Sequence, residues 1–322
     1  MNSEIELDKV VDIISKAKKI GIFAHESPDG DAIGSTLALY LGLKQLKKDV
    51  DIITGKYSDS FKFLKHLDEI KDEGTKDYDV CIALDCADKR RLYDPNNSFD
   101  EAKTTISIDH HASNTYFASV NYVESNSPAA CKTLIKVLKR LEITITKEIG
   151  EALITGIITD SGGFRYETVD DETFEFAAQM LDVGVNISKI YLTTFDVQTK
   201  AQFELTSIAT SRLKFVDKSR IAITYITRKD IKKAGAKTGD HEGIVNVGRN
   251  VEGVEVSIFL REDINNTYKV SFRSVNDIDV AKIAKSFDGG GHSKAAGCSI
   301  KGPLEEAMKR LIKETSKRLW MV

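Results

Sequence analysis

His25, Asp29 and Asp31 stand at the spacing His-x-x-x-Asp-x-Asp around Gly30, directly after the apolar run 20–24. One imidazole and two carboxylates form an oxygen-nitrogen donor set, and the imidazole favours a borderline first-row ion such as Mn²⁺ over Mg²⁺. By itself the motif has a plain structural explanation, an Asx turn with Asp31 capping the next helix. That explanation does not cover what recurs further on. The apolar run 79–84 ends in Asp85, which alone could cap a turn, and the β-branched run 104–108 ends in Asp109, His110 and His111. Neighbouring side chains leave a strand on opposite sides, so packing explains two adjacent histidines at a strand tip poorly. Asp160 then closes an apolar helical face, before the helix-breaking Ser161-Gly162-Gly163-Phe164.

Two stretches in the last third also carry chemistry. Arg273 and Ser274 end a strand-like run and offer a guanidinium and a hydroxyl to phosphate oxygens. Gly289, Gly290, Gly291 and His292 combine backbone N–H groups unobstructed by Cβ with an imidazole, which suits a phosphate or nucleotide. His66, His241 and Trp320 have no such company and read as surface or packing residues.

The elements that must position these groups alternate between strand and helix. A capping-box form, Ser3 to Glu6, opens a first helix that serves packing. Strand-like runs at 20–24, 50–54, 79–84 and 104–108 are separated by helical patterns, the first with Ile33, Leu37, Tyr40 and Leu41 facing inward. Gly34 is expected to permit close approach of that helix to a strand. Ser127-Pro128 reads as N-cap and first position of a helix with Leu134, Val137, Leu138 and Leu141 inside. Ala152, Leu153, Gly156, Ile157 and Asp160 share a helical face, with a strand at 154–158 as the alternative, and 173–181 is helical. The fold class is therefore α/β, a mainly parallel sheet flanked by helices, in which ligands bind beyond the carboxyl ends of the strands. The expected division is 1–186 for this catalytic part, 187–200 as linker, and 201–322 as a smaller α+β part. The smaller part shows a helix from 201, strand-like runs at 221–226, 254–260 and 268–272 with a hairpin signal at 262–266, and helical patterns at 280–287 and 303–319.

The 322 residues suit two domains, and 41% apolar content supports a sizeable core. With 46 basic and 49 acidic residues the formal charge is −3, which speaks against a long electrostatic track for polymeric nucleic acid. Cys81, Cys86, Cys131 and Cys298 lack C-x-x-C pairing and sit in apolar surroundings, so they read as reduced, buried thiols. The acidic, amphipathic N-terminus does not read as a signal peptide and no apolar run has spanning length, so a cytoplasmic protein without membrane contact is expected.

Together these residues closely resemble the DHH phosphoesterases with a C-terminal DHH-associated domain. The four N-terminal motifs are similar to His25-x-x-x-Asp29-x-Asp31, Asp85, Asp109-His110-His111 and Asp160-Ser161-Gly162. The C-terminal signature is similar to Gly289-Gly290-Gly291-His292, with Arg273-Ser274 upstream. The two-domain layout, with Glu242-Gly243-Ile244-Val245-Asn246, resembles the oligoribonuclease (nanoRNase) and pAp-phosphatase branch. Two details depart from the pattern: Ser161 stands where Thr is expected, and Lys132 lies in a region that is often acidic.

The resemblance implies two Mn²⁺ per subunit, with Mg²⁺ or Co²⁺ as substitutes. It implies that His25, Asp29 and Asp85 hold one ion and that Asp31, Asp85, His110 and Asp160 hold the other, Asp85 bridging. His111 would face the scissile phosphate, with Asp109 orienting the histidine pair, while Arg273, Ser274, the three glycines and His292 grip substrate. The implied activity is hydrolysis of short single-stranded RNA, with DNA as an alternative, to mononucleotides, and removal of the 3′-phosphate of pAp; a homodimer is compatible with it. Competing readings are a phosphodiesterase for pApA in cyclic-di-AMP turnover and a non-catalytic nucleotide sensor. A family II pyrophosphatase lacks its Ser-Arg-Lys-type motif here, and a processive RecJ-like exonuclease would need further domains.

Overall fold

The computed structural model describes residues 3–237, 239–291 and 293–319, so His292 and Trp320 lie outside the described residues. The chain divides into two compact units, 1–197 and 198–322.

In the first unit the elements are α1 (Ser3–Lys16), β1 (Lys19–Phe23), α2 (Gly30–Gln45), β2 (Asp49–Ile53), β3 (Ile70–Lys71), β4 (Val80–Leu84), α3 (Ser98–Glu101), β5 (Thr104–Asp109), β6 (Val120–Val123), α4 (Ala130–Arg140), α5 (Lys147–Asp160), α6 (Asp171–Asp182) and α7 (Ile187–Tyr191). The six strands form one all-parallel sheet in the order β3-β2-β1-β4-β5-β6. Side chains alternate across it as a two-residue period requires. Ile20, Ile22, Ile82, Ile106 and Ile108 join the buried faces of α1, α2, α4 and α5, whereas Phe23, Ile53, Cys81 and Ala83 pack with Tyr78 and Phe99 on the other side. Chain order reverses between β1 and β4, and such a switch point opens a crevice at the carboxyl ends of both strands.

α2 is buried along nearly its whole length, more than the one-sided pattern in the sequence suggests. It packs against α5 as well as the sheet, and Gly34 serves that helix-helix contact, since a Cβ there would lie 2.3 Å from the Ala152 carbonyl oxygen. The expected role of Gly34 against a strand is thereby corrected. Residues 154–158 are helical, within α5. The stretch 187–200 is largely helical too: α7 runs into one π-helical turn, Leu192–Asp196, and Ile190 is buried in the first unit's core.

The second unit contains α8 (Lys200–Ser211), β7 (Lys214–Val216), β8 (Ile221–Ile226), α9 (Arg228–Ala234), α10 (Val245–Arg249), β9 (Val256–Glu262), β10 (Thr267–Ser274), α11 (Val280–Lys285), β11 (Gly290–Gly291), β12 (Ala295–Lys301) and α12 (Leu304–Leu319). Its sheet is mixed, in the order β11-β12-β10-β9-β8-β7, with only β8 and β9 parallel. The β9–β10 hairpin turns through Asn265 and Asn266, both at φ 55°, a left-handed conformation that Asn tolerates. Residues of α11 and α12 cover one face, and residues of α8 and α10 the other.

Candidate metal centre

β1, β4 and β5 lie side by side, and their carboxyl ends deliver His25, Asp85 and the segment 109–111 to one place. Asp85 leaves β4 at φ 53°, in the left-handed region, and its carboxylate lies near both His25 and His110. α2 and α5 add Asp31 from an N-terminus and Asp160 from a C-terminus. The resulting distances are short. His25 Nε2 lies 3.7 Å from Asp85 Oδ2 and 4.0 Å from Asp29 Oδ1. His110 Nε2 lies 3.2 Å from Asp160 Oδ2, 3.6 Å from Asp85 Oδ1 and 3.8 Å from Asp31 Oδ2. Three groups, His25-Asp29-Asp85, Asp31-His110-Asp160 and Asp85-His110-His111, each bring their donor atoms within 4.8 Å of one another.

Local structure explains how each donor is held. Asp29, not Asp31, caps α2, accepting from the N–H groups of Asp31 and Ala32, both at 3.1 Å. The Asp31 carboxylate instead accepts from Ala130 N (2.6 Å) and Cys131 N (2.9 Å), the first two amides of α4. That corrects the expected start of this helix. Ser127 does not cap it; its hydroxyl donates to the Ala129 carbonyl, and a carboxylate 99 residues away supplies the cap. His110 Nδ1 faces the Ser127 carbonyl at 3.1 Å, so it carries a proton, and Nε2 is the atom turned to the carboxylates, able to ligate an ion once its own proton is displaced. His111 and His110 do not diverge, because both lie beyond the end of β5; their rings sit 4.7 Å apart and both approach Asp85. Asp109 orients only His111, through Nδ1 at 2.8 Å, rather than the pair.

The donors fit a cation. Asp85 Oδ1, His110 Nε2 and His25 Nδ1 are buried with no hydrogen-bond partner among the described residues, and buried polar atoms are seldom left so. Electrostatics point the same way. Burial favours the neutral His110 ring, but Asp160 and Asp85 outweigh it and raise its pKa well above the usual value. Burial, with the charges of Asp85 and Asp160, raises Asp31 well above the carboxylate range. For Asp85, burial is outweighed by His110 and His25, which hold its pKa down. Without a cation His110 and Asp31 therefore hold their protons more tightly than free side chains do, and a bound ion must displace them. Binding of a divalent cation is expected to release protons and to tighten as pH rises. Isothermal titration in two buffers of different ionisation enthalpy measures the release, and identical heats would contradict it.

Lys132 takes no part in the cluster; it is buried and pairs with Asp170 and Glu172 at the start of α6. In the second unit, Arg273 lies on β10 between Ser257 of β9 and Ala295 of β12, and Nη1 donates to the Phe272 carbonyl at 2.9 Å. Ser274 faces the opposite side of the strand and donates to the Ser293 carbonyl at 3.2 Å, so the two do not form one fork. The glycine run is not an open loop. Gly290 and Gly291 pair with Gly297 and Ala296 of β12, and a Cβ at Gly289 or Gly291 would strike a β12 backbone oxygen at 2.2 or 2.5 Å. Of the three, Gly290 has no atom of the described residues within 4 Å of where its Cβ would stand. Two contributors escaped the sequence reading: the Ala130 and Cys131 amides, which have no side-chain signal, and Asn114, whose only signal is its place three residues after His111.

Comparison with known proteins places the chain in a family. Residues 19–157 match the DHH family, N-terminal domain, and residues 218–321 match the DHHA1 domain. A bifunctional oligoribonuclease and PAP phosphatase of Thermus thermophilus is 32% identical, covering 93% of this chain and 90% of its own. A protein of the same description from Bacillus subtilis is 22% identical, with coverage of 91% and 92%. The crystal structure of an exopolyphosphatase-related protein from Bacteroides fragilis superposes with a TM-score of 0.89 at 28% identity, covering 98% of this chain and 96% of that one. RecJ of Thermus thermophilus, solved with Mn²⁺, shares the fold at a TM-score of 0.56 and 14% identity, over 97% of this chain and 55% of RecJ. The chain belongs to the DHH family and carries its DHHA1 domain at the C-terminal end.

Proposed function

We propose that this protein is a Mn²⁺-dependent phosphoesterase that hydrolyses short oligoribonucleotides to mononucleotides and removes the 3′-phosphate of pAp. The observation that carries the reading is the convergence of His25, Asp29, Asp31, Asp85, His110 and Asp160 at the switch point of the sheet, in groups that share Asp85 and His110. Relatives described as oligoribonuclease and PAP phosphatase over nearly the full chain support the substrate class.

His25, Asp29 and Asp85 would hold one ion, and Asp31, Asp85, His110 and Asp160 a second. Two divalent ions would supply a water nucleophile at neutral pH and offset charge building on the phosphoryl oxygens. The chain's own residues do the rest. The Asp31 bond to the α4 amides and the His110 bond to Ser127 fix donor orientation before substrate arrives. His111, its Nδ1 held by Asp109, turns Nε2 to the phosphate and protonates the leaving ribose oxygen. Arg273 grips a terminal phosphate of the substrate, while Ser274 steadies the neighbouring Ser293 backbone.

The test is hydrolysis of 5′-labelled RNA from dimers to long oligomers, with pApA and pAp alongside, in Mn²⁺ and after chelation. Metal-dependent turnover fastest on two- to five-mers and extending to pAp is expected. Activity confined to pApA would replace this reading with a cyclic-dinucleotide role, and tight binding without turnover would make the protein a sensor. Arg273→Ala is expected to raise KM about 10- to 100-fold, the worth of a charged hydrogen bond, with kcat little changed. An unaltered KM would remove Arg273 from the grip.

A further inference from the structure

Asp109 is fully buried at the end of β5 and its carboxylate is held from two sides. Oδ1 receives His111 Nδ1 at 2.8 Å, and Oδ2 receives Asn114 Nδ2 at 2.7 Å. Asn114 is itself buried, and the Tyr116 N–H donates to its Oδ1 at 2.6 Å. That bond fixes the amide, since the oxygen faces an N–H and the nitrogen must face the carboxylate. The backbone closes the unit, with Asn114 N donating to the His111 carbonyl at 3.1 Å. Cys86 O and Ser107 Oγ lie at 3.5 and 3.4 Å from the same Nδ2, beyond a strong bond, so the Asp109 contact dominates.

From this chain of contacts we infer that Asn114 is a positioning residue, which holds the Asp109 carboxylate so that it fixes the His111 ring with Nε2 toward the scissile phosphate. The inference rests on the phosphoesterase reading. In the step concerned, water oxygen bonds to phosphorus and gives its proton to solvent, while the bond from phosphorus to the ribose oxygen breaks. The departing oxygen keeps the electron pair and takes the proton from His111 Nε2. Asp109, accepting at Nδ1, holds the ring throughout. Without Asn114, Oδ2 of a buried carboxylate loses its short bond and the carboxylate is free to rotate away from His111.

The discriminating experiment compares two substrates that differ in their need for that proton. A ribose oxygen leaves poorly unless protonated, whereas p-nitrophenolate leaves unprotonated. Asn114→Leu keeps the volume but can neither donate to Asp109 nor accept from Tyr116; Asn114→Ala removes the volume as well. Each is expected to lower kcat on a dinucleotide about 10- to 100-fold with KM and Mn²⁺ stoichiometry unchanged. Turnover of the p-nitrophenyl ester of a nucleotide should change by less than about threefold, as expected of a group that acts only through His111. In the metal-free protein labelled with ¹⁵N-histidine, the His111 Nδ1–H resonance should shift upfield in both variants. Equal losses on both substrates, loss of Mn²⁺ binding, or an unmoved resonance would overturn the inference. Because the p-nitrophenyl ester also reports wild-type chemistry, a wild type inactive on both substrates would instead bring down the phosphoesterase reading and this inference with it.

Discussion

Asp85→Asn should abolish hydrolysis, with kcat falling on the order of 10³-fold or more, while the protein stays folded. Asp85 is the carboxylate that both His25 and His110 approach, and it belongs to two of the three donor groups. An amide is a poor ligand for a divalent cation compared with a carboxylate, so both of the proposed ions would be weakened together. Metal ions contribute several kcal/mol of charge stabilisation in such reactions, and each 1.36 kcal/mol is tenfold in rate. Asparagine is the informative substitution because position 85 has φ 53°. Asn tolerates that left-handed backbone nearly as Asp does, whereas Ala would add strain and confuse lost ligation with a distorted loop. Circular dichroism and thermal melting establish the fold, and calorimetric titration counts the Mn²⁺ bound. More than a tenth of wild-type turnover in a folded Asp85→Asn protein would dismiss the shared-carboxylate assignment.

The strand tips were legible in the sequence for a physical reason. A strand buried on both faces reads as an unbroken apolar run, so the residue at which it stops, such as Asp85 or Asp109, marks the sheet's carboxyl edge. What stayed hidden was set by tertiary partners. Ser127-Pro128 has the composition of a helix start, yet α4 begins at Ala130 because Asp31 caps it from across the fold. Ala295-Ala296-Gly297-Cys298 has little strand propensity and becomes β12 by pairing with β10. The separation of Arg273 from Ser274 follows from the two-residue period of a strand, which sends adjacent side chains to opposite faces.

Gly34→Ala should destabilise the first unit even though helix propensity argues the reverse. In an exposed helix interior, exchanging Gly for Ala gains about 1 kcal/mol. At position 34 the new Cβ would lie 2.3 Å from the Ala152 carbonyl oxygen, 3.1 Å from Cys131 Sγ and 3.2 Å from Gly156 N. The closest of these is backbone, which cannot rotate aside, so α2 and α5 must separate. Overpacking of this kind costs about 1–3 kcal/mol, occasionally more, and exceeds the propensity gain when the obstacle is main chain. For a unit of about 200 residues, a net loss of about 1–2 kcal/mol lowers Tm by about 2–8 °C. The same displacement reaches the site, because α2 carries Asp31 and α5 carries Asp160, both approached by His110 Nε2. A misplacement of about 1 Å between such groups can cost about 10²-fold in rate. The variant should therefore lose activity well below its own Tm, with Mn²⁺ affinity falling in parallel. A raised Tm would mean that the helices tolerate the methyl group, and the close α2–α5 contact would no longer explain how Asp31 and Asp160 are brought together.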